Sequence, residues 1–132
     1  MSKQKTFGLI IRAGLKPFPN RDEITCGSLL SEYFRSNIEF LPSSSNSKSP
    51  DFLIEHLNQR WELKTIYGNT KNTIHHAFER SNGQSENLII SLKRTKMRPK
   101  SAIAAIKREL KISNKKRIIL ISKEDKIVVI KQ

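Results

Sequence analysis

The stretch PDFLIEHLNQRWELKTI, running from Pro50 to Ile66, decides how this chain folds. It holds two runs of strand-forming residues, Asp51–His56 and Arg60–Ile66, joined by Leu57–Asn58–Gln59, which suits a hairpin turn. Side chains on a strand alternate between its two faces. In the second run Trp61, Leu63 and Thr65 therefore share one face, and Arg60, Glu62 and Lys64 share the other. Trp61 reads as a core residue, opposite the charged face. Asp51 opens the first strand, and pairing of the two strands brings it alongside Glu62 or Lys64 to a degree that register decides. Two carboxylates and an ammonium group on one sheet face are expensive to hold without a task. Carboxylate oxygens suit Mg²⁺, which keeps several waters for a substrate phosphate, with Mn²⁺ or Zn²⁺ as alternatives.

Outward from this hairpin the chain alternates helix and strand patterns. Residues 1–20 read as an arm or linker, because Lys16–Pro–Phe–Pro–Asn20 resists helix and central strand. Asn20 or Asp22 is placed to cap a helix over Glu23–Arg35, where Ile24, Cys26, Leu29, Leu30, Tyr33 and Phe34 recur at helical spacing. Asn37–Leu41 reads as a strand, and Pro42–Pro50 as a Ser-rich loop. Downstream, Asn72–Asn82 carries Ile74, Ala77 and Phe78 on one helical face. Asn87–Leu92 is nearly all apolar, as a buried strand requires. Pro99 opens a helix with Ile103, Ile106 and Leu110 inside. Arg117–Ser122 and Lys126–Ile130 form a second hairpin about Lys123–Glu124–Asp125. The order α-β-β-β-α-β-α-β-β points to a single α/β domain over residues 21–132, a mixed central sheet flanked by helices.

Charge narrows the function. The 132 residues carry 25 Lys+Arg against 12 Asp+Glu, a formal charge of +13. Residues 1–66 hold 9 basic and 7 acidic side chains, whereas residues 67–132 hold 16 and 5, a net +11. The densest run, Lys93 to Arg117, includes Lys93, Arg94, Lys96, Arg98 and Lys115 and has Glu109 as its one acid. Clustered cations of this kind gain by releasing phosphate counterions, so a nucleic acid is the expected partner. Arg60, Thr65 and Arg80 are further candidates for phosphate contact. A single cysteine, Cys26, excludes a disulfide scaffold and a cysteine-rich zinc module. Cys26 reads as a buried helix residue with no base to activate it. Adjacent His75 and His76 point to different helix faces and read first as surface residues, with RNA contact or general-acid work by one of them as the alternative. No apolar run reaches the roughly 20 residues that span a bilayer, and the N-terminal stretch is too short for a signal peptide.

Pro50–Asp51 followed by Glu62–Leu63–Lys64 resembles the PD-(D/E)xK nuclease superfamily. That resemblance implies a restriction-endonuclease-like α-β-β-β-α-β core, here with a C-terminal α-β-β extension, and a divalent metal held by Asp51 and Glu62. It implies that Lys64 positions the attacking water, and that a helix acid, Glu23 in preference to Glu32, completes the site. Over about residues 21–122 the pattern is similar to the C-terminal nuclease domains of contact-dependent growth inhibition toxins, many of which cleave tRNA. Their helix ending in Gln before an apolar strand corresponds to Gln84 before Asn87–Leu92. The expected function is thus metal-dependent hydrolysis of RNA, tRNA foremost, in the cytoplasm of a target bacterium after delivery within a larger secreted toxin. An acidic immunity protein would neutralise it. A DNA endonuclease or repair nuclease of the same fold, and a non-catalytic basic binding module, are the alternatives, since both nucleic acids present phosphates. There is no VENN-type junction, and the sequence leaves oligomeric state open.

Overall fold

A computed structural model describes residues 7–16, 18–42, 51–70, 72–81 and 85–132. The Ser-rich segment after Pro42, Pro50 itself and Gln84 lie outside the described residues. The chain has the expected mixed α/β architecture. It divides into two compact units, residues 1–60 and 61–132.

In the first unit, helix α1 (Arg21–Phe34) begins at Asn20, one of the two caps foreseen. The Asn20 side chain accepts from the Glu23 amide at 2.8 Å, and the Glu23 carboxylate accepts from the Asn20 amide at 2.7 Å. This reciprocal capping box satisfies two otherwise unpaired amides and buries Glu23. The helix ends at Arg35, whose left-handed backbone (φ 52°) turns the chain into the next strand. Strand β1 (Leu9–Ile10) lies within the segment expected as an arm and pairs in parallel with β2 (Ile38–Leu41). Strand β3 (Asp51–Ile54) runs antiparallel to β2. Gly27 lets α1 approach this sheet closely, because a Cβ there would stand 3.0 Å from both Leu9 and Phe40 side-chain atoms. Cys26, Leu30, Ile38, Phe40, Phe52 and Ile54 are buried, with the Phe40 and Phe52 rings 5.0 Å apart.

The hairpin after β3 differs from expectation. The strand ends at Ile54, two residues early, and Glu55–Leu57 forms one 3-10 turn. Asn58 adopts a left-handed conformation (φ 50°), which asparagine tolerates better than most residues. Its amide donates to the Glu55 carbonyl at 3.1 Å, so the reversal spans Glu55–Asn58 rather than Leu57–Gln59.

The second unit is a βαβαβ arrangement with a final hairpin. Strand β4 (Gln59–Thr65, from Trp61 onward in this unit), helix α2 (Asn72–Arg80), β5 (Asn87–Ser91), α3 (Pro99–Leu110) and β6 (Arg117–Ile121) lead to β7 (Ile127–Lys131). β4, β5 and β6 are parallel neighbours, and β7 closes the edge antiparallel to β6. Residues paired in register share a face. Glu62, Leu88 and Ile118 form one row, and Lys64, Ile90 and Leu120 the next. The apolar members of these rows pack with Ile74, Phe78, Ala102 and Ile106 from α2 and α3 in one buried cluster. Glu62 and Lys64 therefore face the helix layer, and Trp61 and Leu63 the opposite side. Trp61 is buried, as its apolar ring requires. Among the described residues no helix is long and apolar enough to cross a membrane.

Candidate functional site

The alternation of β4 brings Glu62 and Lys64 to one face, and the structure holds them as a pair. Lys64 Nζ stands 3.5 Å from Glu62 Oε2; the glutamate side chain is 1% exposed and that of lysine 20%. The acid is thus withdrawn from solvent while the ammonium reaches toward it. Lys64 opens onto a pocket of about 240 Å³ at the carboxyl end of β4, which Thr65, Tyr67, Thr73, His76 and Arg80 also line. Three of the residues foreseen for the substrate and its chemistry, Lys64, Thr65 and Arg80, meet there. The loops after parallel strands are where α/β sheets bind ligands, because helix–sheet crossovers leave a crevice at that end.

A second pocket, of about 400 Å³, is lined by Asn69 and Thr70 from the loop after β4, Lys96 and Arg98 from the loop after β5, and Arg108 of α3. It gathers two more of the foreseen cations.

In the first unit Asp51 is buried and takes a charge-assisted hydrogen bond from Arg60 Nε at 2.7 Å. Arg60 also reaches the Pro42 carbonyl at 3.4 Å. Foreseen as a phosphate contact, Arg60 is spent at least partly on orienting Asp51. Glu23 is buried in its capping box, and Glu32 is exposed. Burial pushes the Cys26 thiol far up, with the charge of Glu23 adding to the effect. Cys26 therefore holds its proton and has no nucleophilic thiolate.

The basic run from Lys93 to Arg117 is less uniform than its composition suggests. Lys93 pairs with Asp125 at 2.5 Å, and Lys116 with Glu86 at 3.2 Å. Lys115 is buried and donates to the Ser81 and Ser85 carbonyls at 2.7 and 2.6 Å. Burial lowers its pKa, the charge of Glu62 opposes that, and the charge of Lys64 adds to it. Lys115 is thus a clasp across the α2–β5 connection and not a surface cation. Arg94, Lys96, Arg98, Lys100, Lys107 and Arg108 remain exposed.

His75 and His76 occupy different positions, as their adjacency requires. His76 lines the Lys64 pocket, whereas His75 Nδ1 lies 2.9 Å from Glu109 and its Nε2 3.4 Å from Glu79. The hydrogen bond and charge of Glu109, with Glu79 adding, raise the His75 pKa above its ordinary 6.5. A raised folded-state pKa stabilises the fold in full below 6.5, and the gain disappears as pH climbs through the raised value. The melting temperature of His75→Gln is accordingly expected to lie below that of the parent at pH 5.5 and to converge on it at alkaline pH. An offset independent of pH would contradict the assignment.

The sequence reading singled out neither Tyr67 nor the burial of Lys115, whereas Arg108 lay within the basic run it named. An aromatic just past the expected end of a strand was the available signal for Tyr67. Nothing local marks Lys115 among its basic neighbours.

The class defined so far is an α/β domain with a buried acid–lysine pair on a parallel strand and cationic pockets at the strand ends. The chain belongs to the contact-dependent growth inhibition CdiA C-terminal domain family, whose model matches residues 48–127. It is therefore a toxin domain of interbacterial competition, of a family that forms the C-terminal part of a larger secreted toxin. Among solved structures it is similar to a chain of the CdiA-CT/CdiI toxin and immunity complex from Burkholderia pseudomallei. The TM-score is 0.69 at 18% identity, covering 95% of this chain and 99% of that one. At that identity the likeness is one of fold. No curated protein matches the sequence.

Proposed function

We propose that this toxin domain is a metal-dependent nuclease that hydrolyses phosphodiester bonds of RNA, with tRNA as its substrate. The observation that supports it most is the buried Glu62 held 3.5 Å from Lys64 at the mouth of a cationic pocket. A buried carboxylate beside a lysine is costly in an apolar layer and useful in phosphoryl chemistry.

On this reading Asp51 and Glu62, the acids that the sequence resemblance assigns to the metal, would supply hard oxygen donors of the kind Mg²⁺ prefers. Among the described residues no three His, Cys, Asp or Glu form a ready-made cage. When bound, the metal would lower the pKa of a water and neutralise charge that builds on the phosphorus oxygens. The protein's own groups do the rest. Arg60 fixes the orientation of the Asp51 carboxylate. Lys64 donates toward the attacking water or the developing negative charge. Arg80 and Thr73 hold the scissile or neighbouring phosphate in the pocket, and the cations around Arg98 hold the strand beyond it.

The similar solved structure is described as a toxin and immunity complex. By the same logic this domain, with +11 in its second half, would be held by an immunity protein presenting an acidic face.

The test is incubation of purified tRNA, and separately duplex DNA, with the protein in Mg²⁺, in Mn²⁺ and in EDTA. Cleavage of tRNA in either metal and none in EDTA is expected. Scission that persists in EDTA would overturn the metal mechanism, and scission of duplex DNA alone would overturn the RNA assignment.

A further inference from the structure

Tyr67 is 70% exposed, yet the backbone that carries it is pinned on both sides. The Ile66 amide donates to the Ser91 carbonyl at 3.2 Å, and Ile66 is buried. The Gly68 carbonyl accepts from the buried Thr95 hydroxyl at 2.5 Å. A Cβ at Gly68 would meet Thr73 Oγ1 at 2.7 Å, so only glycine lets the loop pack this tightly against α2. Thr73 in turn donates its amide to the Thr70 carbonyl at 3.1 Å. The ring is therefore presented to solvent from a rigid support, which spares binding most of the cost of ordering it.

The position of that support matters. Tyr67 and Gly68 line the pocket of Lys64 and Arg80, and the next two residues, Asn69 and Thr70, line the pocket of Lys96, Arg98 and Arg108. One anchored loop thus separates two cationic pockets and carries an exposed aromatic ring. Cations in neighbouring pockets match successive phosphates of a strand, and an exposed ring on the loop that joins the pockets matches a base. A base paired inside a duplex offers no free face, whereas an unpaired base does.

We infer that Tyr67 stacks on an unpaired base of the RNA, with the flanking phosphates in the two pockets, so that the domain engages single-stranded segments such as loops rather than duplex. This rests on the nucleic-acid reading of the same site and narrows it. Stacking needs the ring and not the hydroxyl, so Tyr67→Phe retains it and Tyr67→Ala loses it. The pocket cations contact phosphates that both RNA forms carry.

Binding in EDTA isolates recognition from cleavage. A labelled single-stranded oligoribonucleotide and an RNA duplex of the same sequence are titrated with parent, Tyr67→Ala, Tyr67→Phe and Arg98→Ala/Arg108→Ala proteins. Tyr67→Ala is expected to weaken single-strand binding about tenfold and duplex binding less than about twofold, as loss of one stacked base predicts. Tyr67→Phe should bind like the parent, and the double arginine variant should weaken both RNAs and flatten the salt dependence. Equal losses on the two RNAs in Tyr67→Ala, or failure of phenylalanine to restore binding, would overturn the inference. A parent protein that binds and cleaves RNA while Tyr67→Ala behaves identically refutes stacking alone. A parent protein that binds neither RNA refutes the nucleic-acid reading itself.

Discussion

Glu62→Gln is expected to slow RNA cleavage by about 10³-fold or more while leaving the domain folded. The substitution keeps the shape of the side chain and removes the charge. On the proposed reading Glu62 would ligate a divalent ion; such an ion contributes several kcal/mol by stabilising developing charge, and each 1.36 kcal/mol is a factor of ten, so loss of that carboxylate would reach about that size. Stability should change little, because the amide replaces a desolvated carboxylate, and the Lys64 ammonium left behind is partly solvated at 20% exposure. Lys64→Ala belongs to the same experiment, with an expected loss of about 10²-fold, the size seen when one electrostatic donor to a transition state is removed. Rates are read on tRNA in Mg²⁺, with the thermal melts of the variants alongside. Parent-like cleavage by both variants would sink the assigned site, and melts that collapse would mean the pair is structural.

Ile90→Ala is expected to do the reverse. Ile90 is fully buried and sits between Lys64 and Leu120 in register. Truncating a buried isoleucine loses transfer energy and leaves a cavity that a close-packed layer fills only partly, a cost of about 3 kcal/mol. The denaturant midpoint should fall in proportion, whereas cleavage at low temperature should drop far less than in Glu62→Gln. The two variants thus separate the chemistry of the β4 face from its support. If Ile90→Ala melted like the parent, the row of Lys64, Ile90 and Leu120 could not be the packed layer the structure shows.

Much of this was legible before any coordinates. The α-β-β-β-α-β-α-β-β order follows from local signals: helical spacing in Ile24–Phe34, the apolar run Leu88–Leu92, Pro99 at the start of α3. Alternation along Arg60–Thr65 already separated Glu62 and Lys64 from Trp61, since strand parity is a property of the backbone alone. Other features escaped. β1 is two residues long and exists through its pairing with β2, a contact 29 residues away in sequence. The early end of β3 came from the left-handed turn at Asn58, a conformation many sequences permit and few announce.

The candidate site divides in the same way. The spacing of Pro50–Asp51 and Glu62–Leu63–Lys64, and the resemblance it carries, named the residues on which the chemistry would rest. Composition named a polyanion as partner. The sequence by itself could not sort the cations, because charge counts are local and burial is not. Lys115 and Arg98 look alike in a string of basic residues. Tertiary structure buries the first against two carbonyls and leaves the second at the rim of a pocket. It likewise turns Tyr67, one of two tyrosines in the chain, into an exposed ring lining one cationic pocket on a loop whose next residues line a second. The physical reason is range: backbone alternation, capping and turn preference act over a few residues, whereas desolvation and pocket shape are set by segments that meet only when the sheet has closed.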